Sequence, residues 1–283
     1  MCIETIYRDI QSSLDASGIE NSALEARWIL KEVLGVSDAD FITGANFAVL
    51  QQQKNRIDEI VSRRKGGEPL SRIFGEREFW GMNFKIGPET LDPRPDTETL
   101  VNIVLNAFHV ERKPLDILDL GTGSGAILIS LLKERPHAHG VGVDKSWKTL
   151  DISLHNSKLL GVEQRSSWIC GDWADSVNGK FDIVVSNPPY IRTDVIANLD
   201  VEVRNHDPIL ALDGGGDGLQ AYKKIFSDLP RLLKTGGLAF LEIGFDQADE
   251  ISRLAVKYRI RVNAIHPDAG GRPRVLEITC GDK

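Results

Sequence analysis

Cysteine is scarce: three residues, Cys2, Cys170 and Cys280, in a chain of 283. They are odd in number, far apart and form no C-x-x-C, so neither a disulfide framework nor a structural zinc site is indicated. A reducing compartment, the cytoplasm, fits this usage. Long apolar runs are missing as well. No stretch reaches the ~18 uninterrupted apolar residues of a membrane span. The start, Met1 to Thr5, has neither a basic n-region nor an apolar h-region, and it lacks the Arg-rich look of a transit peptide. Of six histidines only His137 and His139 are close together, with no third ligand beside them. They read as a surface loop, and no metal is expected. Basic charge is outweighed: 34 Lys and Arg against 41 Asp and Glu give a net charge of −7. A protein that grips free nucleic acid usually carries a basic patch. The best cluster here, Arg63-Arg64-Lys65 with Arg56 a helical face away, reads as a helix C-terminus favoured by the macrodipole. Its other reading is a contact with an acidic or RNA-bound partner.

What is present is an ordinary globular composition, 41% apolar and 27% charged, in a length that suggests two domains. The first part reads as helices. Ile3, Ile6, Tyr7, Ile10 and Leu14 share one face. Ser22-x-x-Glu25 has the form of a capping box, followed by Ala26, Ile29, Leu30, Val33 and Leu34 and stopped by Gly35. Leu50, Ile57, Ile60 and Val61 form a further stripe, ended by Gly66-Gly67 and Pro69. Such stripes are core. Glu78 to Gly87 alternates around Gly81-Met82-Asn83 and predicts a β-hairpin.

Beyond it, apolar strands alternate with helices. Leu115 to Leu120 is a strand, followed at once by Gly121-Thr122-Gly123-Ser124-Gly125 and a helix from Ala126. A strand, glycine turn and helix start form a nucleotide-type cradle. Gly140 to Val143 is the next strand and ends in Asp144, about 20 residues beyond the loop, where an acid can take both ribose hydroxyls. Asp144 also has the alternative reading of a helix N-cap, and the two are compatible. Ser167 to Cys170 leads to Gly171-Asp172-Trp173, a polar and aromatic pair suited to an adenine ring.

A fourth strand, Phe181 to Val185, leads to Ser186-Asn187-Pro188-Pro189-Tyr190. Prolines fix φ and supply no N–H, so the loop's carbonyls are held as acceptors. An asparagine oxygen and a proline carbonyl can accept the two protons of a planar –NH2 group, with the tyrosine ring on its face. The plainer reading is a stiff turn with a buried tyrosine. Ligands of open α/β sheets bind outside the carboxyl ends of the strands, so these four pieces should share one crevice. Asp213 to Gly218 reads as a flexible loop, Leu219 to Leu233 as a helix and Gly237 to Ile243 as a fifth strand. Arg259 to Ile265 and Arg274 to Cys280 read as a terminal antiparallel pair.

The order of these motifs resembles the class I S-adenosylmethionine-dependent methyltransferases that act on amino or amide nitrogens. Further segments sharpen the match: Asp92-Pro93-Arg94-Pro95-Asp96-Thr97-Glu98, Glu78-Phe79-Trp80, Asp207-Pro208, Ala211 to Gly215, and Gly270-Gly271-Arg272-Pro273-Arg274-Val275. Together they resemble the release factor glutamine methyltransferases (the PrmC/HemK family), from about Glu68 to the C-terminus, with a weaker helical match before it. Asn205-His206-Asp207-Pro208 departs from the family pattern and is given no catalytic role.

The resemblance implies an α/β fold: a Rossmann-like, mostly parallel seven-stranded sheet with a small N-terminal helical domain. Residues 1–74 would dock the substrate, 75–91 would form a linking hairpin, and 92–283 would be the methyltransferase domain. The implied activity is methyl transfer from S-adenosylmethionine to the amide of a glutamine in class I peptide chain release factors, at their Gly-Gly-Gln tip. Gly121, Thr122, Gly123, Ser124, Gly125, Asp144, Trp173 and Asn187 would hold the cofactor. Asn187, Pro188, Pro189 and Tyr190 would hold the amide, with Asn187, Pro188 and Tyr190 catalytic. No membrane or free nucleic acid partner is expected, and no feature demands more than a monomer. Two alternatives carry the same motifs: a DNA adenine or ribosomal RNA guanine methyltransferase, since the loop also fits a flipped base, and a non-catalytic S-adenosylmethionine-binding module.

Overall fold

Apolar side chains three and four positions apart make the first helices amphipathic, and each buries that stripe. The structure is a computed structural model that describes residues 3–43, 48–109 and 113–280. Cys2 lies outside these residues. The chain divides into two compact units, Met1–Phe74 and Gly75–Lys283.

In the first unit α1 (Ile3–Asp15), α2 (Ser22–Leu34), α3 (Asp38–Thr43), α4 (Gln51–Lys65) and α5 (Leu70–Phe74) enclose a core that includes Ile3, Ile6, Ile10, Leu14, Ala26, Ile29, Leu30, Ile57 and Ile60. Gly35 ends α2 in the left-handed conformation, its N–H on Lys31 O. The expected capping box does not form. Ser22 is inside the helix and donates to Asp15 Oδ1 at 2.6 Å. Glu25 is instead drawn to Arg64, which binds it at 2.6 and 3.1 Å while only 5% exposed. A buried guanidinium outbids a backbone N–H for the carboxylate. Leu50 is no core residue. It sits at the start of α4, 64% exposed, and its N–H donates to Gln53 Oε1 at 3.0 Å. The basic cluster is neutralised from within: Arg63 binds Glu68 at 2.8 and 2.6 Å, and Arg56 binds Glu59 at 2.8 Å. The helix-terminus reading of that cluster accounts for it.

The second unit opens with β1 (Glu76–Phe79) and β2 (Met82–Lys85), an antiparallel hairpin. Its two-residue turn is Trp80-Gly81, at φ 53° and 66°, one step earlier than the sequence suggests. Positive φ at both positions matches the strand twist. Then follow a 3₁₀ turn at Pro95–Thr97, α6 (Glu98–Ala107), β3 (Asp116–Leu120), α7 (Ala126–Glu134), β4 (His139–Asp144), α8 (Trp147–Leu159), β5 (Ser166–Cys170) and β6 (Phe181–Ser186). The chain continues through α9 (Val201–His206), α10 (Ile209–Leu212), α11 (Gln220–Leu232), β7 (Leu233–Glu242), α12 (Ala248–Lys257), β8 (Ile260–Pro267) and β9 (Pro273–Cys280).

The strands form one seven-stranded sheet, ordered β5-β4-β3-β6-β7-β9-β8. The first five run parallel, and β9 alone runs antiparallel, between β7 and β8. Strand alternation splits its side chains between two cores. Leu118, Leu120, Val184, Ala239, Leu241 and Leu276 meet α11 and α12 on one face. Ile117, Ile183, Val185, Phe240 and Val275 meet α6 and α7 on the other. Burial on both faces explains the nearly continuous apolar runs. The order reverses between β3 and β6, which makes their carboxyl ends the topological switch point.

Candidate active site

At that switch point the two strand ends are tied together: the buried Ser186 hydroxyl donates to Leu120 O at 2.6 Å. The glycine loop leaves β3 with the N–H groups of Gly121 and Thr122 both on Val143 O at 2.9 Å. Thr122 Oγ1 donates to Asp119 Oδ2 at 2.6 Å, and full burial pushes the Asp119 carboxyl up to about 7. Ser153 donates to Gly123 O at 2.6 Å, and Asn156 donates to Ser124 O and Lys85 O at 2.9 Å each. The loop is thus held from behind by α8 and the hairpin. Gly123 stands at φ 57°, and a Cβ there would point into open space. It turns a bare backbone to the cavity.

Asp144 Oδ2 accepts the Gly123 N–H at 3.1 Å and Oδ1 the Ser146 N–H at 3.0 Å. Burial raises its carboxyl and these N–H groups oppose that rise. Ser146, not Asp144, caps α8, accepting from Thr149 N at 3.3 Å. Trp173 adopts φ 57° and sets its ring edge 3.6 Å from where a Cβ on Gly121 would stand. Asp172 is bound by Lys224 and faces Lys145 at 3.9 Å.

The Asn187 loop is built on contacts distant in sequence. Asn187 Nδ2 donates to Thr97 Oγ1 at 3.1 Å. Its Oδ1 has no hydrogen-bond partner among the described residues, and the residue lines the cavity. Pro188 is buried. The Tyr190 ring packs on the core, its hydroxyl 3.4 Å from Glu242 Oε1, and its carbonyl accepts Gln247 Nε2 at 3.0 Å. Burial raises the Tyr190 hydroxyl well above its ordinary range.

The expected flexible loop at Asp213 to Gly218 is a packed brace. Gly214 N donates to Ile191 O, and Ile191 N to Leu212 O. Asp213 Oδ1 accepts Gly215 N and the Thr193 hydroxyl. A Cβ on Gly214 would stand 2.9 Å from Pro189 O, Tyr190 Cα and Gly218 O. These are backbone atoms with nowhere to go, so Gly214→Ala should displace the Asn187 loop. The expected cost is about 1–3 kcal/mol of stability, with a larger relative loss of kcat. A Tm and a turnover rate both equal to the wild type would show that the brace is not needed.

These pieces enclose a cavity of about 280 Å³. Gly121, Thr122, Gly123, Ser124, Asp144 and Trp173 line one part of it, and Asn187 and Pro189 another. Gly125, Pro188 and Tyr190 do not line it. Gly125 serves packing: a Cβ there would lie 2.9 Å from the Trp168 ring. Tyr190 braces the loop, whereas the sequence reading places its ring against the amide. The facing wall carries Leu91, Pro93, Arg94 and Thr97, and Leu210 and Ala211 of α10. Sequence reasoning gave these no chemical task. The density of prolines and charges around Arg94 was the available signal. Arg94 is ion-paired with the buried Asp207, which gives the Asn205-to-Pro208 segment a structural role. Among the described residues no three His, Cys, Asp or Glu side chains converge as a metal site.

Comparison with known proteins agrees with this layout. A family model described as the PrmC N-terminal domain matches residues 5–75, and one described as the methyltransferase small domain matches residues 96–204. The release factor glutamine methyltransferase of Agrobacterium fabrum is 44% identical over 266 residues, 93% of this chain and 92% of that protein. That of Bradyrhizobium diazoefficiens is 39% identical over 277 residues, 97% of this chain and 93% of that protein. Among solved structures, a methyltransferase from Pyrococcus furiosus is 18% identical with a TM-score of 0.55, covering 78% of this chain and 100% of its own. That likeness supports the fold alone.

Proposed function

This chain belongs to the release factor glutamine methyltransferases, and we propose that its Asn187 loop holds the glutamine amide of a class I peptide chain release factor for methylation at nitrogen. The observation that carries this reading is the orientation of Asn187. Its –NH2 is spent on Thr97, so its oxygen is the group left to face a substrate on the cavity wall.

The enzyme is S-adenosylmethionine-dependent, and the glycine cradle fits that ligand. Gly123 offers bare backbone with open space beside it, Asp144 offers carboxylate lone pairs, and Trp173 offers a ring edge beside Gly121. When bound, S-adenosylmethionine supplies an electrophilic methyl group carried on a sulfonium. The chain's own task is to make a poor nucleophile competent, since an amide lone pair is delocalised into its carbonyl. Asn187 Oδ1, on the cavity wall, accepts an amide N–H bond and fixes the nitrogen in line with the methyl. The same oxygen stabilises the positive charge that develops on nitrogen, and the proton leaves afterwards to water. Positioning and preorganised electrostatics supply the rate gain. Tyr190 and Gly214 keep the loop rigid.

The glutamine is that of the Gly-Gly-Gln tip, and the unit Met1–Phe74 docks the release factor. Free nucleic acid is no substrate, consistent with the net charge of −7. Among the described residues no helix is long and apolar enough to cross a membrane, and the enzyme works as a monomer in the cytoplasm, where release factors act. One experiment tests these points together. With labelled S-adenosylmethionine, the full chain should label a class I release factor and neither DNA nor ribosomal RNA. A chain beginning at Gly75 should still bind S-adenosylmethionine but label the release factor with a much lower kcat/KM. Label on nucleic acid would overturn the substrate, and equal kcat/KM for the two chains would overturn the docking role.

A further inference from the structure

Two segments that mark the resemblance have no task in the reaction so far: Asp92 to Glu98, and Gly270 to Val275. The fold brings them together beside the Asn187 loop. Pro93 and Pro95 stiffen the backbone on either side of Arg94, which is extended, and a 3₁₀ turn follows at Pro95–Thr97. From Arg94 to Glu98, each polar side chain is spent on a different distant element. Arg94 Nη2 binds Asp207, just beyond α9. Asp96 Oδ2 binds Arg274 Nη2 of β9 at 2.9 Å. Thr97 Oγ1 accepts the Asn187 –NH2 at 3.1 Å. Glu98 Oε1 accepts the Trp80 N–H of the hairpin turn at 2.8 Å.

The two ion-pair partners are firmly mounted. The Asp207 side chain is 3% exposed. Arg274 is buried too, and the turn before β9 is built to hold it. Asp268 Oδ1 accepts the Gly270 and Arg272 N–H groups at 2.9 and 3.0 Å, and its Oδ2 binds Arg274 Nη2 at 3.2 Å. The Arg274 carbonyl accepts the Ile243 N–H at 2.8 Å, which ties it to the chain just after β7. Asp96 differs from these partners, because its side chain is 56% exposed. An ion pair on an exposed carboxylate adds little to stability. Stability therefore gives the Asp96–Arg274 pair little to do, whereas position gives it a task.

We propose that Arg274 and Asp207 are positioning residues for methyl transfer: they grip Asp96 and Arg94 on either side of Pro95, fix the turn that carries Thr97, and through its hydroxyl hold the Asn187 amide with its oxygen free for the substrate. The inference rests on the reading that Asn187 binds the glutamine amide. A hydrogen bond needs its two groups within about 3 Å. A turn displaced by about 1 Å would lose the Asn187 –NH2, and an amide free to rotate no longer keeps the substrate nitrogen in line with the methyl. One ion pair alone leaves the turn free to pivot about it. Two pairs, on Arg94 and Asp96, do not.

The test uses the full chain, with kcat read at saturating release factor and S-adenosylmethionine. Asp96→Ala leaves Arg274 paired with Asp268, so its Tm should stay close to that of the wild type. Its kcat should nonetheless fall roughly 10-fold through a loosened Thr97, with unchanged affinity for S-adenosylmethionine. Asp96→Asn keeps an oxygen for Arg274 and should retain most of the rate. Asp207→Ala should lower kcat by a similar factor, and Asp207→Asn by less. The decisive readout is a double-mutant cycle. Thr97→Val alone should lower kcat roughly 10- to 100-fold. In that background Asp96→Ala and Asp207→Ala should each cost less than about twofold more, because the hydroxyl through which they act is already gone. The assigned side-chain –NH2 resonance of Asn187 should shift in both alanine variants. Losses that multiply in the Thr97→Val background, an Asn187 resonance that does not move, or an Asp96→Ala enzyme as fast as the wild type would overturn the proposal. A shifted resonance in a protein that labels no release factor would uphold the grip and overturn only the reaction assigned to the loop.

Discussion

Asn187→Ala should lower kcat by roughly 10²–10³, the loss seen when one preorganised polar group is removed from a reaction centre. S-adenosylmethionine affinity should change little, because the glycine cradle, Asp144 and Trp173 remain. The structure sharpens the companion variant. Asn187→Asp keeps an oxygen for the substrate but replaces the –NH2 that donates to Thr97. The Thr97 hydroxyl has one proton and can turn to donate it to the aspartate, so this contact survives in the opposite direction. What changes is a negative charge on the cavity wall. Asn187→Asp should therefore keep part of the rate that alanine loses. Single-turnover rates with a release factor decide this. Rates for both variants equal to the wild type would remove the reaction from this loop.

Asp144→Ala should weaken S-adenosylmethionine binding at least tenfold. Hydrogen bonds to a charged group are worth roughly 1.5–3 kcal/mol each, and a factor of ten is about 1.4 kcal/mol. Each Asp144 oxygen already holds one backbone N–H, of Gly123 and of Ser146. Removing the carboxylate therefore withdraws the lone pairs offered to the ribose and also unties the cradle's middle glycine. Asp144→Asn should fall between, since it keeps one acceptor and turns a donor toward one of those N–H groups. Titration calorimetry measures the effect, and unfolding without ligand separates the loosened loop from the lost contact. Alanine with undiminished affinity would leave Asp144 only the task of ordering the Gly123 and Ser146 backbone.

The elements legible in the sequence share a property: each is encoded within a few residues. A strand followed by a glycine turn, as at Leu120-Gly121, or by Asn187-Pro188-Pro189-Tyr190, is specified by local sterics and by burial on both sheet faces. The misreadings share the opposite property. Ser22-x-x-Glu25 looks like a capping box until Arg64, 39 residues away, takes the glutamate. Asp213 to Gly218 looks flexible until the backbone of Pro189 and Tyr190 is packed against Gly214. Gly125 looks like part of the cradle until Trp168 is found behind it.

Local pattern was thus sufficient for the alternation of strands and helices, and for placing the glycine turn, Asp144 and the Asn187 loop at strand ends beside one cavity. Backbone sterics and hydrophobic periodicity act over a few residues and are written in their order. The orientation of Asn187 was decided by the tertiary structure alone. It depends on Thr97, 90 residues upstream, whose oxygen takes the Asn187 –NH2. A hydrogen bond needs its two groups within about 3 Å. Only the fold brings the turn before α6 against the loop after β6, so no local pattern could specify which end of the amide faces the cavity.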